Sequence, residues 1–347
     1  LKPVVLFGVL NWGLGHASRS IPVINSLMSD NYKVIIVSDG EALVLLKKEF
    51  PENKFVNIKG YDVKYPYKSI FLNLFVNSLN IITAILYEKR KITEIITEYN
   101  PQFIISDNRY GFRSNKLKSM IICHQINIHH RNRIVGMIAN TINRLLLNRF
   151  NEIIIPDWET DRSIAGKLSK LKFKHQHKYI GSLSRMQSLN IEKKYKIAIV
   201  LSGPEPQRSL FEQILMNQIA NLKLPIILVK GIMNENNDLQ FNEYLRIKSH
   251  ALANELNQII CASEIIIARS GYSTIMDLYA CGSKAILIPT PGQTEQEYLA
   301  QYLSNKKIAY TCNQENFNLS TALLEIEHYS GFSIQFQSTN LEFYKSL

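Results

Sequence analysis

The chain has 347 residues, 46% hydrophobic and 20% charged, with 40 Lys plus Arg against 29 Asp plus Glu and a formal charge of +11. That composition excludes collagen-like, disordered and disulfide-scaffold proteins, and at this length two domains are the default. Cys123, Cys261, Cys281 and Cys312 are widely spaced with no C-x-x-C pair, which speaks against a zinc site or disulfide framework and for a reducing cytoplasm.

At the start, Lys2 precedes only five apolar residues before Gly8, so no secretory leader is expected. Val4 to Val9 reads as the first buried strand of a parallel sheet. It runs into Gly8-Val9-Leu10-Asn11-Trp12-Gly13-Leu14-Gly15-His16-Ala17-Ser18-Arg19-Ser20, with a helical pattern from Ile21. Glycines between strand and helix let backbone N–H groups approach an oxyanion or a sugar, and a helix N-terminus adds partial positive charge. Gly13-x-Gly15 also begins a dinucleotide fingerprint, with Asp39 ending the second strand, Val34 to Val37. Against that reading, the third glycine position is Ser18 and His16 stands where a pyrophosphate would pass.

Ser69 to Tyr87 is a run of 19 residues without a charge, nearly a membrane span by length. Asn73, Asn77 and Asn80 fall at i, i+4 and i+7 beside Phe71, Leu72, Phe75, Leu79, Ile82 and Leu86, which predicts an amphipathic helix. It runs into Lys89, Arg90 and Lys91, suited to an anionic membrane surface; a buried core helix is the alternative. Phe103 to Ser106, Met120 to Cys123 and Glu152 to Ile155 complete the first set of strands. No acidic residue lies between Asp107 and Glu152, while Arg109, Arg113, Lys116, Lys118, Arg131, Arg133, Arg144 and Arg149 accumulate. A one-signed surface implies an anionic partner, with a merely solvated basic face as the alternative.

After a polar connector, Tyr179 to Lys194, the pattern restarts with Ile197 to Leu201, Ile226 to Val229, Ile265 to Ala268 and Ala285 to Ile288. The expectation is two α/β units in tandem, 1–184 and 185–347, with ligands beyond the carboxyl ends of the strands and in the cleft between the units. Leu1 to Arg185 holds 27 basic and 14 acidic residues, Met186 to Leu347 13 and 15. The basicity therefore belongs to the first unit.

The second unit has the sharper loops. Leu201-Ser202-Gly203-Pro204-Glu205-Pro206-Gln207-Arg208 is a tight turn into a helix with a Pro in its first turn. In Arg269-Ser270-Gly271-Tyr272-Ser273-Thr274-Ile275-Met276-Asp277, Ser270 or Ser273 is expected to cap a helix whose N–H groups face a ligand. Asp277 is placed to accept from a ribose diol; an acid favourable in a helix first turn is the alternative. Pro289-Thr290-Pro291-Gly292-Gln293-Thr294-Glu295-Gln296-Glu297-Tyr298 follows. Thr294 and Glu297 fit a capping box, which leaves Gln296 as the better ligand candidate.

The signature Arg-Ser-Gly-x-x-Thr-x-x-Asp, then a Pro-containing loop leading to a Gln-rich helix start, resembles the nucleotide-sugar site of GT-B glycosyltransferases. It is most similar to the family of MurG, the peptidoglycan N-acetylglucosaminyltransferase, and its uncharacterised bacterial and archaeal relatives. Gly13-x-Gly15-His16 resembles that family's first loop, and Gly181-Ser182-Leu183-Ser184-Arg185 falls at its Gly-Asn-Pro-x-Arg junction. The likeness runs from Val4 to about Tyr310. It implies two Rossmann-like domains facing across a cleft, with a terminal helix returned to the first. By the same resemblance, Ser202, Gly203, Ser270 and Gly271 hold the diphosphate or flank uracil, with Arg269, Ser273 and Thr274 in the same set. Arg185 counters phosphate charge, Asp277 binds ribose, and Gln296 with Glu297 stands for a Gln pair that reads sugar hydroxyls, from which Glu297 departs. His124-Gln125-Ile126-Asn127 resembles a His-Glu-Gln-Asn segment at the cleft floor, with Gln125 removing a carboxylate base. Gly13, Gly15, Arg19, Arg109 and Asn127 fall to the acceptor side.

The activity implied is inverting transfer of a hexose or N-acetylhexosamine from a nucleotide-diphosphate sugar, a UDP-sugar first, to an acceptor hydroxyl. That needs a base and positive potential for the leaving phosphates. No D-x-D occurs, so neither a metal nor a cofactor is expected. His16 is the expected base, because an imidazolium is disfavoured at a helix N-terminus. Asp107 is second, with a turn-capping role as its alternative, and His124 third. Arg19 and Arg109 are expected near the cleft mouth, facing an anionic or lipid-linked acceptor. Peripheral membrane contact is expected through 69–91 and the basic 109–149 region, at the inner face of the cytoplasmic membrane, and no nucleic acid. A UDP-sugar 2-epimerase of the same fold, which would need several cleft carboxylates, and a silent sugar-nucleotide-binding subunit are the alternatives.

Overall fold

A computed structural model describes residues 2–61, 70–159, 162–232, 237–333 and 339–346, and within these all side chains except those of 70–79 and Ser346. In chain order the first half runs β1 (Val4–Val9), α1 (Leu14–Ser29), β2 (Lys33–Ser38), α2 (Gly40–Glu49), β3 (Lys54–Asn57), α3 (Ile70–Tyr99), β4 (Phe103–Asp107), β5 (Lys118–Ile122), α4 (Arg133–Leu147), β6 (Glu152–Ile155) and β7 (His177–Tyr179). The second runs β8 (Tyr195–Val200), α5 (Gln207–Ile219), β9 (Ile226–Val229), β10 (Asp238–Gln240), β11 (Leu245–Lys248), α6 (Ala253–Cys261), β12 (Ser263–Ala268), α7 (Tyr272–Cys281), β13 (Lys284–Leu287), α8 (Thr294–Asn305), β14 (Tyr310–Thr311) and α9 (Leu319–Glu325).

The strands form two seven-stranded sheets, ordered β3-β2-β1-β4-β5-β6-β7 and β10-β11-β9-β8-β12-β13-β14. Every pairing is parallel except β10 with β11. This is the GT-B arrangement of two Rossmann-like sheets. Strand direction of numbering reverses between β1 and β4 in one sheet and between β8 and β12 in the other, and such switch points open a crevice at the carboxyl ends of the strands. Asp107 ends β4, and the segments leaving β1, β8 and β12 carry His16, Ser202 and Ser270.

Alternation along each strand covers both faces. In β1, Val5 and Phe7 pack with Val23, Ile24 and Leu27 of α1, whereas Leu6 packs with Ile92 and Ile95 of α3. In the second sheet Ile197, Ile199, Ile265 and Ile267 meet Phe211, Leu215 and Ile219 of α5, while Ala198, Ile266 and Ala268 join Ile275, Met276 and Leu278 of α7. The α1 and α7 faces belong to one continuous apolar cluster spanning the two sheets, so the two crevices are held toward each other. At the chain's end, Tyr344 bonds Ser26 and Asp30 of the first half at 2.7 and 2.8 Å, and Lys345 pairs with Asp30.

Two elements differ from expectation. Helix α1 begins at Leu14, seven residues before Ile21, because its buried face at Ser18, Arg19 and Ser20 is polar and breaks the apolar period. Helix α3 continues past Tyr87 to Tyr99 with Glu88 fully buried. Asn73, Asn77 and the apolar residues 71–79 of the expected stripe lie outside the described side chains, as does Ser69. Beyond them, Ile82, Leu86 and Tyr87 are exposed. Among the described residues no helix is long and apolar enough to cross a membrane.

Candidate active site

Gly13, with φ +72°, turns the chain from β1 into α1, a backbone region that glycine occupies at no steric cost. His16 and Arg19 then fall at i and i+3, on one helical face. Asp107 ends β4, in register with Val9, and its carbonyl accepts from Leu10 N at 3.1 Å, tying the His16 loop to the carboxylate.

Asp107 is fully buried. One oxygen faces His16 Nδ1 at 2.7 Å and accepts from Arg19 Nη2; the other accepts from Arg19 Nε at 2.8 Å and Ser20 Oγ at 3.0 Å. Burial alone would raise this carboxyl, but Arg19 and then His16 hold it well below the usual carboxylate range. Arg19 Nη2 also lies 3.0 Å from His16 Nδ1. Since one nitrogen cannot both accept from Arg19 and donate to Asp107, and Nη2 already donates to Asp107, the proton is assigned to Nδ1. Nε2 keeps its lone pair. Burial first, then the Arg19 guanidinium, lowers His16 below its usual value near 6.5, so the ring is neutral at pH 7.

His124 follows β5 and is buried. Its Nδ1 lies 2.7 Å from Arg19 Nη1 and its Nε2 3.0 Å from Glu295 Oε1, while its ring stacks on Tyr272 at 4.1 Å between centroids and 1° between planes. Both nitrogens are engaged. Glu295 and Tyr272 belong to the second half, so the site is assembled across the cleft. Ser273 Oγ donates to Gly15 O at 3.0 Å, and a Cβ at Gly15 would stand 2.7 Å from that hydroxyl, so a side chain there would push Ser273 out of this contact.

On the second half, Gly271 caps α7 with its backbone and no side chain does so. This corrects the expected cap: Ser270 is buried and bonds Gln296 O at 2.9 Å, and Ser273 reaches across to Gly15. Ser202 and Gly203 are exposed beyond β8, and Thr274 is half-buried in the first turn of α7. Asp277, one turn further, accepts from Ser184 Oγ at 2.5 Å; burial pushes its carboxyl up to about 6, against the pull of Arg185. Arg185 is nine-tenths buried, 3.6 Å from Glu49, and its Nε and Nη1 have no hydrogen-bond partner. Gln296 accepts from Thr290 N at 2.9 Å and donates to Gln293 at 2.6 Å.

Several expected positions have other surroundings. Arg269 is buried against Phe211, its donors on Ile288 O, Pro289 O, Gln207 O and Gln314; it braces the loop from behind. The expected Thr294–Glu297 capping box does not form. Thr294 is inside α8 and donates to His129 O at 2.8 Å, and Glu297 grips Arg131 at 2.7 and 2.8 Å. Arg19 and Arg109 are not at the cleft mouth. Arg19 sits beneath His16, and Arg109, with no exposed surface, pairs with Glu88 at 2.5 Å and donates to Ile58 O at 2.8 Å, because a buried guanidinium needs a carboxylate and acceptors. Asn127 is turned away, its amide on Lys167 O and Lys170 O at 2.8 and 2.6 Å.

Glu295, Tyr272 and Glu88 carried no signal in the sequence reading. Helix α4 was also missed. Ile134, Met137, Ile138, Ile142 and Leu145 recur at helical spacing and are 50–69% exposed, with Arg131, Arg133, Arg144 and Arg149 exposed around them.

The glycosyltransferase family 28 C-terminal domain matches residues 198–343, and glycosyl transferase family 1 matches residues 4–144. An uncharacterized glycosyltransferase of Methanosarcina acetivorans is 22% identical over 84% of this chain and 81% of its own length. The UDP-N-acetylglucosamine–N-acetylmuramyl-(pentapeptide) pyrophosphoryl-undecaprenol N-acetylglucosamine transferase of Natranaerobius thermophilus is 23% identical over 88% of this chain and 85% of its own. Among solved structures, MurG of Acinetobacter baumannii has a TM-score of 0.59 at 14% identity, covering both chains fully. Spinosyn rhamnosyltransferase SpnG has 0.66 at 13%, covering 100% of this chain and 99% of its own.

Proposed function

This chain is a MurG-like glycosyltransferase of GT-B architecture, and we propose that it transfers a hexose or N-acetylhexosamine, with inversion, from a nucleotide-diphosphate sugar to a hydroxyl of an anionic, lipid-linked acceptor. The observation that carries the chemistry is the His16–Asp107 contact at the switch point of the first sheet, opposite the start of α7. Asp107 fixes the Nδ1–H tautomer, and Nε2 takes the acceptor's proton as the acceptor oxygen bonds the anomeric carbon. The bond from that carbon to phosphate oxygen breaks, and the nucleoside diphosphate leaves with the electron pair. Of the three base candidates, Asp107 has a depressed proton affinity and no exposed surface, and His124 has both nitrogens engaged. His16 alone retains a lone pair.

The donor rests on the second half. The start of α7 at Gly271 and the turn at Ser202 and Gly203 present backbone N–H groups to the diphosphate, the open donors of Arg185 add positive charge, and Asp277 takes the ribose hydroxyls. Ser270 and Gln296 hold the loop that reads the sugar. UDP is the first nucleotide to test, on the strength of the N. thermophilus relative's name. The acceptor reading is supported by α4, whose exposed apolar face and flanking arginines suit the interface of an anionic membrane. The loop before α4 meets α8 through His129 and Arg131, which sets that surface beside the cleft.

Thermal-shift measurements with UDP-, GDP- and TDP-sugars test the donor. A saturating donor at 100 times its Kd adds about 2.7 kcal/mol and is expected to raise the melting temperature by several degrees; no response to any of them removes the proposal. For the base, His16→Ala is expected to leave that shift intact and lower transfer by about 10²–10⁴-fold.

A further inference from the structure

Among the described residues, Glu295 is the one carboxylate that reaches from the second half to the histidine pair, and the proposed transfer gives it no role. We infer that Glu295 is a positioning residue: from the donor-side loop it fixes His124, and through His124 and Arg19 it sets the Asp107–His16 pair, so that the base is in order only when the two halves are closed on each other. This rests on His16 being the base.

The hydrogen atoms along the chain of contacts have one consistent placement. A guanidinium has only donors, so the 2.7 Å contact between Arg19 Nη1 and His124 Nδ1 is Arg19 donating. Nδ1 is then unprotonated, and a neutral His124 carries its hydrogen on Nε2, aimed at Glu295 Oε1 3.0 Å away. The bond made by one imidazole nitrogen dictates the state of the other. Remove the Glu295 acceptor and the Nε2–H loses its partner, so the Arg19 donor at Nδ1 is left to hold the tautomer and the ring from one side alone. A hydrogen on Nδ1 would point at the Arg19 donor, and that contact fails. Arg19 holds both oxygens of Asp107, and Asp107 holds the Nδ1–H of His16. The Tyr272 ring flat against His124 leaves rotation in plane, or a ring flip that the Arg19 contact opposes, as the freedom that Glu295 removes. Glu295 itself stands beside Gln296, whose side chain is held by Thr290 N and Gln293. The orientation of the donor loop is thereby passed to the other side of the cleft.

The test is a double-mutant cycle on the full chain with two readouts. Turnover is followed as UDP released from UDP-N-acetylglucosamine, and the state of His124 is read from ¹H–¹⁵N correlations of ¹⁵N-histidine-labelled protein, with His124→Gln identifying its signals. Glu295→Ala is expected to lower kcat at least about tenfold while the KM for the donor stays within about threefold. Glu295→Gln, which keeps an acceptor oxygen, is expected to restore kcat to within about threefold of the parent. Combining Glu295→Ala with His124→Gln should cost no more than the worse single change. The hydrogen-bonded Nε2–H signal of His124 should be present in the parent and in Glu295→Gln, and in Glu295→Ala it should be lost to exchange with water and to tautomer averaging. Additive losses overturn the inference, as does a defect confined to donor KM, which would make Glu295 a sugar ligand. A His124 pattern indifferent to Glu295→Ala overturns it even if UDP-N-acetylglucosamine is not turned over, a result that would count against the choice of donor instead.

Discussion

In the proposed transfer His16 is the base, and its environment sets a pH dependence. Burial and Arg19 lower its proton affinity below the usual value near 6.5, and the base must be unprotonated to act. The acidic limb of kcat against pH is therefore expected below pH 6.5, with a plateau through neutrality. A limb centred above 7 would point to another group. Asp277 behaves oppositely. Its carboxyl is pushed up to about 6 from an ordinary 3.8, burial being the cause, so between these values the folded protein binds more protons than the unfolded chain and stability falls as pH rises. Asp277→Asn removes that penalty while keeping an oxygen for Ser184. Relative to the parent, its melting temperature should be higher at pH 8, with the gain shrinking as pH falls below 6 and gone by about pH 4. Its response to nucleotide sugars should be weakened. An equal melting difference at pH 4 and pH 8 would show that the carboxyl does not titrate differently in the folded state.

At the scale of elements, a polar link fastens α3 to β4 and the loop after it. Glu88 of α3 takes Arg109 Nε, Gly111 N at 3.0 Å and Tyr61 OH at 3.1 Å, while Arg109 reaches toward the ends of β1 and β2 through Val9 O at 3.3 Å and Asp39 at 3.8 Å. Glu88→Ala removes the close carboxylate of a buried guanidinium and leaves it Asp39 at 3.8 Å, a loss of about 3–5 kcal/mol for a broken buried pair; a chemical-denaturation midpoint near the parent's would refute this. Such links explain what the sequence could and could not disclose. The nine strands foreseen were legible because Val and Ile in short runs between turn signals have few other uses, and the loops after β1 and β12 because glycine and serine between a strand and a helix are informative by type. Short edge strands such as β7 and β10 were not, since three residues hold no period. The start of α1 was hidden because Ser18, Arg19 and Ser20 are polar yet buried, and a pattern rule that expects apolar interiors fails where polar groups pair inside. Arg109 misled for the same reason, a charge assumed solvated until the topology brought Glu88 to it. Long-range pairs such as Glu295 with His124, 171 residues apart, have no local signature at all.

For the whole molecule, the excess of basic residues in the first half resolves into two populations. Arg19 and Arg109 are interior and neutralised by Asp107 and Glu88, so they contribute nothing to a surface field. Arg133, Arg144 and Arg149 remain outside, around the exposed apolar face of α4, while Arg131 is exposed but paired with Glu297. Charge and apolar area together make the case for a membrane interface, because each alone is weak: a near-surface Arg adds about 1 kcal/mol on an anionic bilayer, and a buried Ile about 1.5–3 kcal/mol. The two terms are separable by experiment. Wild-type protein is expected to float with phosphatidylglycerol-containing vesicles and less well with neutral ones, and raising salt from 0.15 M to 1 M, where the Debye length falls from about 8 to about 3 Å, should weaken but not abolish the association. Replacing Ile138 and Ile142 by Ser removes the apolar term at exposed helix positions without disturbing the core. It should reduce flotation at least about tenfold at either salt concentration, with an unchanged melting temperature. If the double variant floats like the parent, α4 does not face the membrane; if neither floats, the lipid-linked acceptor loses its main structural support, while the donor half and the His16 base stand on their own measurements.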